Sequence, residues 1–217
     1  MSFYLYVILS FTILIAGAIG LVRFRSIYKA YRPLLYFFWL AGINETINYF
    51  LLMNGRTTQI NNNIYVLLEA LLITWYFKKM NIFKSWPPLF YCLLTAFGVA
   101  WALENLIFGA LYSVSLYFRV FYSFGIVLMS IHCINKIITT NRGALLRNAS
   151  FLTCVGFILY FTYKVLVEAF GIYGLSSSVH FQVVVYTILI YINVVVNFIY
   201  ALAALWMPKR QAFTLPS

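Results

Sequence analysis

The sequence predicts an all-α integral membrane protein, a single domain over residues 1–217 that folds as one bundle of seven transmembrane helices. Two features of the composition support this. Hydrophobic residues make up 64% of the chain and charged residues only 9%, whereas a soluble domain needs a more polar surface. Apolar runs of about 20 residues, the length of a membrane-spanning helix, recur along the chain. They lack the alternation with a period of two that marks barrel strands.

Seven apolar segments are long enough to cross a bilayer. We predict spans at residues 2–22, 33–54, 60–77, 88–109, 111–134, 150–171 and 180–206. The first span has no basic residue before it and is followed at once by Arg23 and Arg25. This arrangement is typical of an uncleaved anchor rather than a signal peptide. Paired prolines, Pro87 and Pro88, mark the start of the fourth span.

The basic residues are concentrated in alternate loops and predict the orientation. The loops after spans one, three, five and seven hold Arg23, Arg25, Lys29, Arg32, Lys78, Lys79, Lys84, Lys136, Arg142, Arg147, Lys209 and Arg210. The other loops hold only Arg56. Because basic loops stay in the cytoplasm, the N-terminus is predicted outside and the C-terminus inside, in the plasma (bacterial inner) membrane. The net charge of +11 therefore predicts contact with the lipid bilayer, or with a partner, and no binding of nucleic acid.

Every acidic residue of the chain lies inside a predicted span. These are Glu45, Glu69, Glu104 and Glu168, and two bases, Arg119 and Lys164, are also inside spans. An ionised side chain at the centre of a membrane helix costs about 2.5–3.5 kcal/mol. We therefore expect all six to face the interior of the bundle. At 1.5 Å per residue, all six fall between the midplane and the outer surface.

Polar residues in the same spans extend this set to a predicted ligand pocket in the outer half, with Glu45 and Glu69 as its floor. The candidate ligand-binding residues are Glu45, Asn48, Glu69, Glu104, Arg119, Lys164, Glu168, Asn193 and Asn197. The alternative is a sealed network that only holds the helices together. Lys164 and Glu168 are one helical turn apart, and for these two alone a structural pair is the better interpretation.

The sequence offers no arrangement of residues for catalysis, a metal or a cofactor. His132 and His180 lie near opposite faces of the membrane, and the chain has no Asp. Cys92, Cys133 and Cys154 are scattered among the spans without a CxxC pair. We therefore predict a protein that is not an enzyme and has no catalytic residue, metal site or cofactor.

The leading functional prediction is a receptor-like or sensory protein that binds an unknown small ligand in the outer half. It would act through a membrane or cytosolic signalling partner. The first alternative is a proton- or cation-coupled small-molecule transporter with Glu45 and Glu69 as a relay. That alternative predicts a polar path past Asn193 and Asn197. The second alternative is a non-catalytic subunit of a membrane complex, in which some of the charges reach a partner's helix.

Overall fold

The computed structural model describes residues 3–140, 145–172 and 179–209. Helix makes up 85% of the structure, and the described residues contain no strand, only an isolated bridge between Ile27 and Lys209. The predicted loop residues Arg142 and Arg210 lie outside the described ranges. The prediction of an all-α fold is confirmed at this level.

Eight α-helices make up the described bundle. They are α1 (Phe3–Ser10), α2 (Ile13–Arg23), α3 (Arg32–Met53), α4 (Gln59–Lys79), α5 (Pro88–Ala102), α6 (Leu116–Thr140), α7 (Ala149–Ile172) and α8 (Val179–Trp206). A π-helical turn, Leu103–Ile107, continues α5. Four stretches are long and apolar enough to cross a membrane: Pro88–Ile107, Leu116–Thr140, Ala149–Ile172 and His180–Trp206. These helices indicate a membrane protein.

The first predicted span, residues 2–22, is not one helix in the structure. It breaks at Phe11 and Thr12, between α1 and α2. The Thr12 hydroxyl donates to the Leu9 carbonyl at 2.7 Å and accepts from the Asn197 amide at 2.9 Å. The break therefore brings a polar side chain of the first segment into contact with α8.

The fifth predicted span is shifted along the chain. It was expected at 111–134, but α6 begins at Leu116 and ends at Thr140. The cause lies in Asn63 of α4, whose amide donates to the carbonyls of Leu111 at 3.2 Å and Ser113 at 2.8 Å. These bonds satisfy backbone groups outside the helix, as buried backbone requires. Arg119 consequently lies in the first turn of α6.

Helices α3 and α4 are long enough to span but carry more polar residues than the other four. Their amides bond to each other. The Asn61 amide donates to the side-chain oxygens of Asn44 at 2.8 Å and Asn48 at 2.9 Å, and Asn48 donates to Asn62 at 2.9 Å. Amides paired in this way are not left unsatisfied in an apolar environment.

One end of the bundle, here called the basic end, is formed by the segments around residues 24–31, 80–87, 145–149 and 207–209. The backbone of Tyr28 donates to the Pro208 carbonyl at 3.0 Å, and Arg23 donates to the carbonyls of Ala204, Leu205 and Met207. Exposed cations at this end include Arg25, Lys29, Lys84, Arg147 and Lys209. The opposite end, formed by residues 54–58 and 108–115, is called the far end.

The half of the bundle next to the basic end is filled by packed rings, here called the aromatic block. Its members are Phe37, Phe38, Tyr76, Phe77, Phe157 and Tyr200, all buried. Phe157 contacts the rings of Tyr200 at a centroid distance of 5.6 Å and Phe77 at 6.0 Å. Gly156 lets the Tyr200 ring approach α7, because a Cβ atom there would lie 2.6 Å from Tyr200 Cε1.

Gly156→Ala is expected to lower the free energy of unfolding by about 1–3 kcal/mol, since the added methyl group overpacks the aromatic block. Gly98→Ala on α5 is the matched control, because no atom lies within 4 Å of the added Cβ. That change should be neutral or stabilising by up to about 1 kcal/mol. Unfolding in mixed detergent–SDS micelles measures both. Equal effects of the two variants would contradict the packing described here.

Candidate functional site

A buried ion pair between α4 and α7 forms the centre of the site. Lys164 Nζ lies 3.4 Å from Glu69 Oε2, and the two residues are only 5% and 1% exposed. Tyr122 of α6 joins them, donating to Glu69 Oε2 and accepting from Lys164 Nζ, both at 2.5 Å. Tyr65 donates to the other Glu69 oxygen at 3.0 Å. Glu69 therefore has the partners that a buried charge requires.

A second ion pair joins α6 to α7 near the far end. Arg119 Nη1 lies 3.4 Å from Glu168 Oε1, and Arg119 Nη2 donates to the Asn63 side-chain oxygen at 3.3 Å. The Ser115 hydroxyl donates to the same oxygen at 3.0 Å. Asn63 thus ties α4, the segment before α6 and the second ion pair into one network.

The two ion pairs differ from the pairing that one-turn spacing predicted. Lys164 and Glu168 share α7 but do not pair with each other; each contacts a different helix. Lys164 reaches Glu69 on α4, and Glu168 reaches Arg119 on α6. The structural pair predicted for Lys164 and Glu168 is therefore wrong. Ion pairs between helices form instead of a pair within α7, because both side chains are buried where α7 packs against other helices.

A small cavity adjoins Glu69 near the middle of the bundle. Its volume is about 60 Å³, and its lining residues are Ser10, Ile13, Phe37, Ala41, Glu45, Tyr65, Glu69, Tyr160, Asn193, Asn197 and Tyr200. One water molecule needs roughly 10–15 Å³ of cavity volume, so the cavity can hold several waters or one small cation. Two carboxylates, two amides and three phenols supply oxygen atoms, the ligands that hard cations prefer.

Glu45 differs from the other acids that face the interior. It is half-buried on the cavity, and its carboxylate has the Asn44 amide beside it. Among the described residues, the ion pairs involve Glu69 and Glu168 but not Glu45. The cavity therefore contains one carboxylate whose charge no basic side chain of the described chain offsets by direct contact.

Comparison of the chain with protein families, curated proteins and solved structures found no match. The site must therefore be interpreted from its own geometry.

The nine residues of the predicted pocket divide into groups. Glu45, Glu69, Asn193 and Asn197 line the cavity, while Arg119, Lys164 and Glu168 form the ion pairs beside it. Two residues lie elsewhere. Asn48 belongs to the amide cluster between α3 and α4, and Glu104 contacts the start of α6.

Glu104 caps α6 from the neighbouring π-helical turn. Its two carboxylate oxygens accept from the backbone nitrogens of Tyr117 at 3.1 Å and Phe118 at 2.6 Å. The first backbone N–H groups of a helix have no partner within it and carry partial positive charge. Glu104 satisfies two of these groups at once.

Glu104→Gln is expected to lower the free energy of unfolding by about 1 kcal/mol, because the amide loses one acceptor and the charge–dipole attraction. Tyr117→Phe is the control, since the Tyr117 side chain is exposed and only its backbone contacts Glu104. Chemical unfolding of the three proteins measures the effect. No loss of stability in Glu104→Gln would mean that the cap does not depend on charge.

Three residues that organise the site are not among the nine candidate ligand-binding residues: Asn63, Tyr122 and Tyr65. Tyr122 follows Arg119 by one turn and Tyr65 precedes Glu69 by one turn, and this spacing was the available signal. Asn63 is the last of three consecutive asparagines. Only the rotation of α4 decides which of the three faces the ion pairs, and periodicity does not define that rotation.

Proposed function

We propose that the chain is a multi-pass protein of the plasma (bacterial inner) membrane, with seven spans, the N-terminus outside and the C-terminus inside. The four apolar helices support this, together with α3 and α4, whose polar side chains bond to each other. In this arrangement α1 and α2 together make the first span. The exposed cations of the basic end favour its cytoplasmic placement.

Within that membrane we propose a receptor-like, sensory role, in which the cavity binds a proton or a small cation. The observation that carries the proposal is Glu45, a carboxylate that has no ion-pair partner among the described residues and lines a cavity that also holds Glu69. A cavity of about 60 Å³ is far smaller than the 300–1,000 Å³ pockets of organic ligands. The ligand proposed for this cavity is therefore an ion, and the role proposed for the protein is non-catalytic.

The aromatic block supports sensing over transport. A transporter needs a path that continues past Asn193 and Asn197 toward the basic end. The cavity instead ends against Phe37 and Tyr200, with the buried rings of Phe38 and Phe157 packed behind them. A site closed on one side suits a device that changes shape on binding and signals to a membrane or cytosolic partner.

A proton- or cation-coupled transporter is the second candidate. The observation that favours it is that Glu45 and Glu69 line the same cavity, because two acids in contact with the same water can pass a proton between them. The subunit alternative has less support. Arg119, Lys164, Glu69 and Glu168 already pair within the described chain, which leaves few charges for a partner's helix.

The test uses the whole protein in liposomes with a pH-sensitive dye trapped inside. Tryptophan fluorescence reports a conformational response to external pH or Na⁺, and the dye reports flux. We expect a fluorescence response without flux, and its loss in Glu45→Gln but not in the control Glu104→Gln. Flux that depends on Glu45 would favour the transporter, and no response of either kind would refute both.

A further inference from the structure

The break between α1 and α2 lies at the cavity of the candidate site. Helix α1 ends at Ser10 and α2 begins at Ile13, and both of these residues line the cavity. In a continuous helix the backbone N–H of Leu14 would donate to the Ser10 carbonyl. Here it donates to the Phe11 carbonyl instead, at 3.0 Å. The Ser10 carbonyl therefore lacks its helical donor at the point where the chain meets the cavity.

The bonds of Thr12 hold this break against α8. The Thr12 hydroxyl donates to the Leu9 carbonyl at 2.7 Å and accepts from the Asn197 amide at 2.9 Å, and Asn197 itself lines the cavity. The last carbonyls of a helix have no donor within it and carry partial negative charge. In membrane proteins such unwound carbonyls and half-helix ends coordinate cations. The break therefore places a cation-attracting helix end at the cavity.

A second observation at the cavity is independent of the break. Tyr200 lines the cavity and is only 3% exposed, and its hydroxyl has no hydrogen-bond partner among the described residues. Buried polar groups in proteins are nearly always hydrogen-bonded, and each exception needs an explanation. A ligand in the cavity that binds the Tyr200 oxygen supplies that explanation.

The charges at the cavity suit a cation with one positive charge. Glu69 is paired with Lys164 at 3.4 Å, whereas the ion pairs of the described chain do not include Glu45. One carboxylate is therefore left to offset one positive charge, and a divalent cation would keep an unbalanced charge inside the bundle, which is costly. A proton bound to Glu45 would leave the helix end and the Tyr200 hydroxyl without a role.

We propose that the cavity is a Na⁺ site, with Glu45 as the charged ligand and with the Ser10 carbonyl and the Tyr200 hydroxyl as neutral ligands. Hard cations take oxygen ligands, and the volume of about 60 Å³ leaves room for waters to complete the coordination. The inference rests on the proposed function and narrows it in two ways. The ligand is Na⁺ rather than a proton, and the helix break belongs to the binding site.

The experiment measures binding of radioactive Na⁺ to the purified full-length protein by scintillation proximity, with choline replacing Na⁺ to keep the ionic strength constant. We expect saturable binding, and a melting temperature that rises with Na⁺ because the ion binds the folded state. Glu45→Gln should abolish binding. Thermal unfolding in choline checks that each variant is folded.

Two further variants test the neutral ligands. Tyr200→Phe should weaken Na⁺ binding roughly 3–10-fold, the value of about one polar contact. Its control is Tyr76→Phe, at a buried tyrosine of the aromatic block outside the cavity lining, which should bind as wild type does. Thr12→Val, which removes the bonds that hold the break, should weaken binding more than Thr46→Val, whose hydroxyl donates to the Gly42 carbonyl within α3.

Three results would overturn the inference, and they separate it from the proposed function. A fluorescence response to pH without Na⁺ binding to the folded wild type would overturn the Na⁺ site and leave a proton sensor. Wild-type affinity for Na⁺ in both Tyr200→Phe and Thr12→Val would overturn the ligands named here and leave a cation site at Glu45. Neither Na⁺ binding nor a response to pH would overturn the inference and the proposed function together.

Discussion

Lys164→Met is expected to lower the free energy of unfolding by about 3–5 kcal/mol, the largest effect of any single change considered. The substitution leaves the carboxylate of Glu69 without the cation that pairs with it, and Glu69 is only 1% exposed. Removing one partner of a buried pair costs this much because an uncompensated charge remains. Lys79→Met, an exposed lysine on α4, should change stability by less than about 0.5 kcal/mol.

The double variant Lys164→Met/Glu69→Gln separates the ion pair from simple packing. With both charges removed, the loss should be smaller than the sum of the two single losses, since contacting residues couple. Unfolding in SDS-containing micelles gives the three free energies. Additive losses would mean that Lys164 and Glu69 do not interact in the folded protein.

Phe157→Ala is expected to cost about 3 kcal/mol, through the cavity left in the aromatic block. This value lies at the lower end of the loss of stability expected when a buried Phe is replaced by Ala, because the association of membrane helices depends on packing rather than on the release of water. Phe157 is fully buried and contacts Phe37, Tyr76, Phe77, Phe161 and Tyr200. Phe124→Ala, at a 55% exposed position on α6, should cost much less.

The Phe157→Ala variant also tests whether the aromatic block is a barrier to protons. If the aromatic block closes the cavity toward the basic end, Phe157→Ala liposomes should leak protons faster than wild type, and Phe124→Ala liposomes should not. Dye-loaded vesicles under a pH step measure this. An equal proton leak in the two variants would mean that the aromatic block is not the barrier.

Helix type and approximate position could be predicted from the sequence, because a membrane helix leaves a long apolar run. Two boundaries could not. The break at Phe11 and Thr12 depends on a bond to Asn197, about 185 residues away in the chain. The start of α6 depends on Asn63 holding the residues before it. Tertiary contacts decided both.

The charged residues of the site could be predicted from the sequence, but the ion pairs that they form could not. Placement of every acid inside a span indicated buried charge, and Glu69, Arg119, Lys164 and Glu168 do form ion pairs. Which pairs form depends on how each helix is rotated about its axis. Glu104 and Asn48 are polar, like the residues that line the cavity. In the structure, however, Glu104 contacts the N-terminus of α6, and Asn48 belongs to the amide cluster between α3 and α4.

The most direct test of the central claim, that Glu45 is the ion-binding carboxylate, is infrared difference spectroscopy of the protein in membranes. Spectra are compared between two external pH values, with and without Na⁺. The account predicts a carboxyl band that changes with pH or Na⁺, disappears in Glu45→Gln and persists in Glu104→Gln. Difference spectra that are identical for wild type and Glu45→Gln would contradict it.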